Sequence, residues 1–339
     1  MRDSAAIYGC LGPRLGAEEI AFFRDVQPWG FILFARNIEG PDQVRALIAG
    51  LRETVGRQDA PVLIDQEGGR VQRFGPPHWR RYPPARVLAR LPGGLTAQRD
   101  AVRLGARLMA DDLFALGVNV DCAPVLDVPQ PGAHDIIGDR AYGETPEAVA
   151  VLARAAAEGL LAGGVLPVIK HIPGHGRATS DSHLDLPVVE ASLAALRETD
   201  FPPFQALSDM PLAMTAHVLY RALDPRRPAT TSRRVIGEVL RGELGFSGLI
   251  MSDDLSMQAL EGDMTSRARQ SLSAGCDVVL HCNGDMAEMK AVAAGVRGLS
   301  GPSARRAEAA LSRLPLRPEP FDRREAEARF DALLAGAGS

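Results

Sequence analysis

The feature that most limits the fold of this chain is a series of short apolar runs that recur along most of its 339 residues. The runs are rich in Val, Ile and Leu, which is typical of strands that are buried on both faces of a parallel sheet. Eight such runs are found, at residues 5–8, 31–34, 62–64, 118–120, 165–169, 212–214, 249–251 and 278–280. They predict a large, mostly parallel β-sheet.

Amphipathic helical patterns separate most of these runs. One starts at Pro41 and repeats apolar residues at i, i+3, i+4 and i+7 from Val44, a second runs from Pro146 to Gly163, and Ser232 can cap a third. Strand–helix alternation eight times over predicts a single (β/α)8 TIM-type barrel of the α/β class, whereas an open doubly wound sheet usually has fewer strands. We expect residues 1–339 to form this one domain, with the segment 303–339 packing on its outside.

Composition excludes several classes of protein. The chain is 46% hydrophobic and 24% charged with a net charge of -4, which is typical of a soluble globular protein and argues against a nucleic-acid partner. Nothing approaches eighteen consecutive apolar residues, and the first apolar run leaves no room for a signal peptide, so we expect neither a membrane span nor secretion. The four cysteines lack metal-binding spacing and indicate reduced thiols in the cytoplasm.

Polar residues follow most of the apolar runs. They are Asp65 to Arg73 after the third, Asp121 and Asp127 after the fourth, Lys170 and His171 after the fifth, His217 after the sixth, Asp253 and Asp254 after the seventh, and His281 after the eighth. The carboxyl ends of parallel strands meet at one rim of a barrel, where barrel enzymes have their active sites. This pattern therefore predicts an active site at that rim.

The densest group of polar residues runs from Lys170 to Asp185 and includes three of the seven histidines. Lys170 is one of only two lysines in the chain, which suggests a need for a compact point charge at this position. His171 and His175 could be metal ligands, but an adjacent lysine disfavours a cation, and the first run lacks a following H-x-H pair. We expect no metal and no cofactor, and a metal-dependent barrel hydrolase remains the alternative.

Two carboxylate motifs are candidates for catalysis. Asp181 lies two residues before His183, and an aspartate bonded to one imidazole nitrogen fixes the tautomer and raises the basicity of the other nitrogen. A turn with a solvated histidine is the alternative. Of Asp253 and Asp254, we expect one to be catalytic and the other to cap or orient, and the pattern does not decide which.

Two further features concern binding and motion. Asp65 and Arg73 are suited to fix hydroxyl groups and an acetamide or carboxylate oxygen of a ligand, although an internal ion pair between them is the alternative. The connections 73–84 and 127–142 are long, as functional loops of barrels often are. Residues 174–184 contain two glycines and few apolar anchors, which predicts mobility in the absence of ligand.

Four blocks, in order along the chain, resemble the bacterial β-N-acetylhexosaminidases of glycoside hydrolase family 3. They are Asp65 to Arg73, Lys170 to Pro187, Met214 to His217 and Ser252 to Met257. The resemblance runs from about Tyr8 to Asn283. It implies a single barrel and the retaining release of terminal N-acetyl-β-D-glucosamine. In bacteria of this type it also implies a GlcNAc-anhydro-muropeptide substrate from peptidoglycan recycling, and we expect a monomer with this carbohydrate as its partner.

The resemblance also implies roles for individual residues. Asp253 resembles the nucleophile, and His183, assisted by Asp181, resembles the general acid/base. The residues that resemble the sugar-binding set are Asp65, Arg73, Arg140, Lys170 and His171. Two positions depart mildly from the family pattern: Gln66, where many relatives have histidine, and Ala141-Tyr142 after Arg140. Attack by the sugar's own acetamide, phosphorolysis, and a sugar-binding protein with an inactive site are the alternatives to hydrolysis through Asp253.

Overall fold

The structure is a computed structural model that describes residues 3–182, 184–315 and 317–336. The strands in these ranges are β1 Ser4–Gly9, β2 Pro28–Leu33, β3 Val62–Ile64, β4 Gln66–Gly68, β5 Val71–Gln72, β6 Val120–Asp121, β7 Leu166–Ile172, β8 Val188–Val189, β9 Leu212–Thr215, β10 Leu219–Tyr220, β11 Leu249–Asp254 and β12 Val278–His281. The helices are α1 Ala17–Val26, α2 Pro41–Val55, α3 Ala85–Leu88, α4 Gly94–Leu116, α5 Pro146–Ala162, α6 Leu193–Ala195, α7 Phe201–Ala206, α8 Met264–Ala274, α9 Met286–Gly295, α10 Gly301–Leu311 and α11 Arg323–Ala335.

Eight of the described strands close a parallel barrel in the order β1-β12-β11-β9-β7-β6-β3-β2, and β2 pairs again with β1. Each of the eight predicted apolar runs contributes residues to one of these strands. The predicted TIM-type fold is therefore confirmed. Two short ribbons, β4 with β5 and β8 with β10, lie in the loops that follow the barrel strands.

The predicted helices form around the barrel for the expected reasons. In α2 the apolar stripe from Val44 is buried, and in α5 the Thr145 hydroxyl accepts a hydrogen bond from the backbone N–H of Ala148. The helix after Ser232 is a π-helix, Val235–Glu243, and the Ser232 hydroxyl accepts from the backbone N–H of Val235 at 3.1 Å. These caps satisfy N–H groups that have no partner within the helix.

The ends of two strands differ from the prediction. Lys170 and His171 lie within β7, and Asp253 and Asp254 lie within β11, whereas we expected these residues just after the strands. The strand β7 continues through Lys170 because carboxylates inside the barrel neutralise the ammonium group. Polarity alone therefore placed both strand ends three residues too early.

The C-terminal helices pack against the outside of the barrel domain. The Phe330 side chain of α11 is fully buried, and a Cβ at Gly105 of α4 would lie 2.9 Å from the Phe330 ring. Arg323, in the first turn of α11, pairs with Asp111 at 2.9 Å and with Asp112 at 2.7 Å. These contacts attach α11 to α4.

Two expectations from composition concern membranes and thiols. Within the described ranges, no helix has the combination of length and apolar character that a bilayer span needs. Cys10, Cys122, Cys276 and Cys282 are free thiols in the structure.

Candidate active site

A pocket of about 350 Å³ opens at the carboxyl ends of the barrel strands. Apolar side chains from three strands line part of it, namely Ile32, Met214 and Leu280. The predicted site residues that line it are Asp65, Arg73, Arg140, Lys170, His171 and Asp253. The structure therefore brings together side chains that are far apart in the chain.

A buried network of ion pairs forms one wall of the pocket. The Lys170 ammonium, which is 2% exposed, lies 3.0 Å from Asp65 Oδ1 and 2.6 Å from Glu67 Oε1. Arg140 donates to both oxygens of Glu67 at 2.8 Å, and Arg73 Nη2 lies 3.1 Å from Asp65 Oδ2. The internal Asp65–Arg73 ion pair, which the sequence left as the alternative to ligand binding, is thus present. Both residues also line the pocket.

The network keeps its members charged although they are buried. Burial opposes ionisation of Asp65 and Glu67, but Lys170, Arg73 and Arg140 outweigh burial and lower the carboxyl pKa values. Burial likewise opposes protonation of Lys170, but Glu67 and Asp65 outweigh it and raise the pKa of the ammonium group. The wall therefore presents fixed anions and cations side by side, which suits a neutral ligand with many hydroxyl groups.

Glu67 was not among the residues predicted from the sequence. It joins Lys170 to Arg140, which are thirty residues apart in the chain, and its carboxylate is the shared acceptor. The signal that could have identified Glu67 is its position two residues after Asp65, in a block that carries the family resemblance.

The structure separates the environments of Asp253 and Asp254. The Asp254 carboxylate accepts from the backbone N–H groups of Ser256 and Cys282, at 3.1 and 3.2 Å, and from the Ser256 hydroxyl at 2.5 Å. It therefore holds the turn that follows β11. Both aspartates line the pocket, and Asp253 Oδ1 accepts from the backbone N–H of Asp254 at 2.8 Å. This geometry favours Asp253 as the reactive carboxylate, and its role stays a prediction.

His171 is oriented by Asp127, a residue from the loop after β6. Asp127 Oδ2 lies 2.7 Å from His171 Nδ1, and Asp127 Oδ1 accepts from the backbone N–H groups of His171 and His175. Burial opposes ionisation of Asp127, but His171 and these hydrogen bonds lower the pKa of its carboxyl group. An ionised carboxylate only accepts, so Nδ1 of His171 carries the hydrogen and Nε2 is left for a ligand.

Asp181, the first residue of the predicted acid/base motif, lies in the loop after β7. Ser182, which follows Asp181, lines the pocket together with His175, and the Ser182 hydroxyl lies 3.2 Å from His175 Nε2. Asp181 is partly exposed. His183, the predicted general acid/base, lies outside the described residues.

Two further buried histidines, His217 and His281, have structural surroundings. His217 lies between the Thr230 hydroxyl, at 2.7 Å, and the Asp254 carbonyl oxygen, at 3.0 Å, and His281 Nε2 contacts Glu288 at 3.0 Å. Both histidines are thus hydrogen-bonded buried residues. Over the part of the chain that the structure describes, no group of three or more His, Cys, Asp or Glu side chains is arranged to hold a metal ion.

Comparisons with known proteins agree with this geometry. A β-hexosaminidase from Alkalilimnicola ehrlichii is 45% identical over 280 residues, which are 81% of this chain and 79% of that protein. A crystal structure of NagZ from Neisseria gonorrhoeae in complex with N-trifluoroacetyl-D-glucosamine has a TM-score of 0.85 and 33% identity and covers 100% of this chain and 98% of its own. A NagZ structure from the same organism in complex with zinc ion has a TM-score of 0.84 and 32% identity, with the same coverage.

The family model described as the glycosyl hydrolase family 3 N terminal domain matches residues 14–314. The match spans most of the chain and includes every strand of the barrel from β2 to β12. It also includes all of the residues that line the pocket. The chain therefore belongs to glycosyl hydrolase family 3 and is an enzyme, a glycoside hydrolase.

Proposed function

We propose that this enzyme is an exo-β-N-acetylglucosaminidase that releases terminal N-acetyl-β-D-glucosamine with retention of configuration. The observation that carries the proposal is that the Asp253 carboxylate opens on the same pocket as the fixed charges of Asp65, Arg73 and Lys170. A few convergent polar groups beside apolar walls suit a single sugar ring. The β-hexosaminidase and NagZ relatives support this sugar class.

For the natural substrate we propose a GlcNAc-anhydro-muropeptide that is processed in the cytoplasm during peptidoglycan recycling. Support comes from the family resemblance and from the similarity to NagZ along the full length of the chain. The enzyme would act as a monomer on this carbohydrate, without a nucleic-acid or membrane partner. Comparing turnover of a purified muropeptide with turnover of a chitin disaccharide tests this choice of substrate.

The proposed reaction is a double displacement. Asp253 attacks the anomeric carbon while the bond to the leaving oxygen breaks, and His183 transfers its proton to that oxygen. A water molecule then gives a proton to His183 and attacks the anomeric carbon, which breaks the bond to Asp253. Asp181 would hold the His183 tautomer. A neutral imidazole does not repel the anionic nucleophile, which is one physical reason for a histidine in place of the usual second carboxylate.

A 2-fluoro sugar with a good leaving group tests the covalent step. We expect mass spectrometry to detect a covalent adduct of this sugar on the peptide that contains Asp253. With an aryl N-acetylglucosaminide as substrate, we expect NMR to detect release of the β-anomer in the first moments of turnover. Retention of configuration with no adduct on Asp253 would favour attack by the acetamide of the sugar. Absence of any turnover of an aryl N-acetylglucosaminide would point to a sugar-binding protein.

Two changes of buffer test phosphorolysis and metal dependence. Activity should persist in buffer without phosphate, because water is the proposed acceptor, and a strict need for phosphate would indicate a phosphorylase. A chelator should not reduce activity, and added zinc should not increase it, because Lys170 already occupies the position of a cation beside Asp65 and Glu67. Loss of activity on chelation that zinc or manganese restores would overturn the metal-free mechanism.

A further inference from the structure

Arg177 and Asp200 form an ion pair between the loop after β7 and the helical frame of the barrel. Arg177 Nε lies 2.6 Å from Asp200 Oδ2, and Asp200 is 1% exposed. Asp200 ends the π-helix Leu196–Asp200 and directly precedes α7, and the flanking side chains of Leu196 and Phe201 are fully buried. The carboxylate is therefore attached to a rigid element, whereas the guanidinium belongs to a loop.

The loop also packs directly on Asp200. Gly174 has a φ of 132°, and a Cβ at that position would lie 3.0 Å from the Cβ of Asp200. The Tyr220 hydroxyl donates to the Gly174 carbonyl oxygen at 2.6 Å. The start of the loop is thus held between Asp200 and Tyr220, and a larger residue at Gly174 would push the backbone away from Asp200.

Backbone contacts on the other side complete the attachment. The N–H of Gln130 donates to the Gly176 carbonyl oxygen at 2.9 Å, and the N–H of His134 donates to the Ala178 carbonyl oxygen at 2.8 Å. Arg177 lies between these two contacts, and Ser182, four residues beyond Ala178, lines the pocket. The direction in which the chain leaves Arg177 therefore decides where Asp181 and Ser182 lie relative to the pocket.

The physical character of the pair suits positioning better than stabilisation. Burying two opposite charges gives little net stability, because the lost hydration offsets the attraction, but the pair strongly disfavours arrangements that leave one charge unpaired. Arg177 is the ion-pair partner of Asp200. Displacement of the loop would therefore leave the buried carboxylate of Asp200 without this partner. Displacement is therefore costly even where the pair adds little to the global free energy of unfolding.

We infer that Arg177 and Asp200 are positioning residues that hold the segment 174–182, and Asp181 with it, against the sugar pocket for proton transfer to the leaving oxygen. The inference rests on the proposed function, in which Asp181 and His183 form the acid/base pair. Neither Arg177 nor Asp200 touches the reacting atoms, so both act through the segment.

The test compares Arg177→Met, Asp200→Asn and the double variant with the unmodified enzyme in single-turnover measurements of the glycosylation step. Arg197→Met is the matched control, because Arg197 lies in the same π-helix and forms an exposed ion pair with Glu243 that does not involve the segment. The substrates are a GlcNAc disaccharide, which needs protonation of its leaving group, and the 2,4-dinitrophenyl glycoside, which hardly needs it. The amplitude of the single turnover reports the folded fraction, so the rate refers to folded enzyme only.

We expect Arg177→Met and Asp200→Asn each to slow the disaccharide by about 10- to 100-fold and the dinitrophenyl glycoside by less than about threefold. The double variant should be no slower than the worse single variant, because both changes remove one interaction. Arg177→Lys should recover part of the rate, and Arg197→Met should leave both substrates unchanged.

His183→Ala in the same assay separates the two ideas. If His183→Ala slows the disaccharide selectively while Arg177→Met and Asp200→Asn slow both substrates equally or neither, the positioning inference is wrong and the proposed function stands. If His183→Ala also slows both substrates equally, the acid/base assignment is wrong and the inference falls with it. A selective loss in all three variants supports both.

Discussion

Asp253 and Asp254 are adjacent in the chain, yet their carboxylates have different surroundings. Both residues line the pocket, but Asp254 accepts two hydrogen bonds from Ser256 in the turn after β11 and one from the backbone N–H of Cys282 after β12. A carboxylate that is already engaged by three donors is a poor nucleophile, because attack would remove those hydrogen bonds. At the scale of single residues, the hydrogen bonds of Asp254 therefore favour Asp253 as the nucleophile, which stays a prediction.

Asp253→Asn should reduce turnover of an aryl N-acetylglucosaminide by more than about 100-fold, because it removes the nucleophile. The change alters little volume, so the thermal unfolding midpoint and the binding of N-acetylglucosamine should change little. Asp254→Asn is the comparison and should lower the unfolding midpoint more than Asp253→Asn does. Retention of more than about a tenth of the activity in Asp253→Asn would assign the reaction to another group.

Glu67→Gln tests the buried ion-pair network. The change leaves the Lys170 and Arg140 cations without their shared anion, which we expect to lower the free energy of unfolding by about 3 kcal/mol. Displacement of both cations should also lower kcat/KM by about 100-fold. Urea unfolding and steady-state kinetics measure the two effects.

Glu144→Gln is the matched control for Glu67. Glu144 pairs with Arg86 and Arg90 at the surface, so its loss should cost less than about 1 kcal/mol. Equal losses of stability in the two variants would show that the network at Glu67 is not more strongly coupled than a surface pair.

At the scale of elements, the loop after β7 is held by polar contacts. We predicted mobility of residues 174–184 from the lack of apolar anchors, and that prediction stays untested. The anchors that the structure shows are of another kind: the Arg177–Asp200 ion pair, the Tyr220 hydroxyl and the Asp127 carboxylate. A search for apolar side chains does not detect such anchors.

His175→Gln tests, through pH, the buried position of the His175 side chain in this loop. Burial lowers the pKa of His175 to about 4, with a smaller effect from His171, so the folded protein takes up this proton only below about pH 4. The unfolded chain takes it up near pH 6.5, so the free energy of unfolding falls as pH drops from about 6.5 to 4. The loss from this residue reaches about 3 kcal/mol at pH 4.

The Gln variant lacks this titration, and its amide can still reach the Ser182 hydroxyl. As pH is lowered from 7.5 to 4, the free energy of unfolding of the variant should therefore rise by about 3 kcal/mol relative to that of the unmodified enzyme. Urea unfolding at each pH measures this difference. Asp200, whose carboxyl pKa burial raises to about 6, titrates in the same range with the opposite sign, but it is present in both proteins and cancels in the difference. A difference that does not change with pH would show that His175 is protonated equally in both states.

At the scale of the whole molecule, the barrel is extended by a C-terminal helix that contacts α4. Phe330→Ala should lower the free energy of unfolding by about 3 to 5 kcal/mol, because it removes a fully buried aromatic ring. Phe330→Leu keeps most of the volume and should cost less than about 2 kcal/mol. Activity at a temperature where both variants are folded should stay within about twofold, since α11 does not line the pocket. A large loss of kcat/KM in folded Phe330→Ala would show that α11 supports the site.

The barrel, the family and six of the residues that line the pocket were predictable from the sequence alone. Strand and helix periods are local properties, so the eight apolar runs and the helices from Pro41 and Pro146 were recognisable from short windows. The family resemblance, which the match over residues 14–314 confirmed, depended on continuous blocks of residues. Parallel strands of a barrel end at one rim, so the position of Lys170 and Asp253 at strand ends implied that they lie close together.

Which side chains are partners depends on the three-dimensional arrangement of the chain. Lys170 is 105 residues from Asp65, and its contact with Glu67, like that of Arg177 with Asp200, depends on how separate strands and loops are arranged. The different hydrogen bonds of Asp253 and Asp254 depend on the backbone turn after β11, which the pattern Ser-Asp-Asp does not specify. Periodicity is encoded by neighbours in the chain, whereas burial, charge neutralisation and hydrogen bonding are set by neighbours in space.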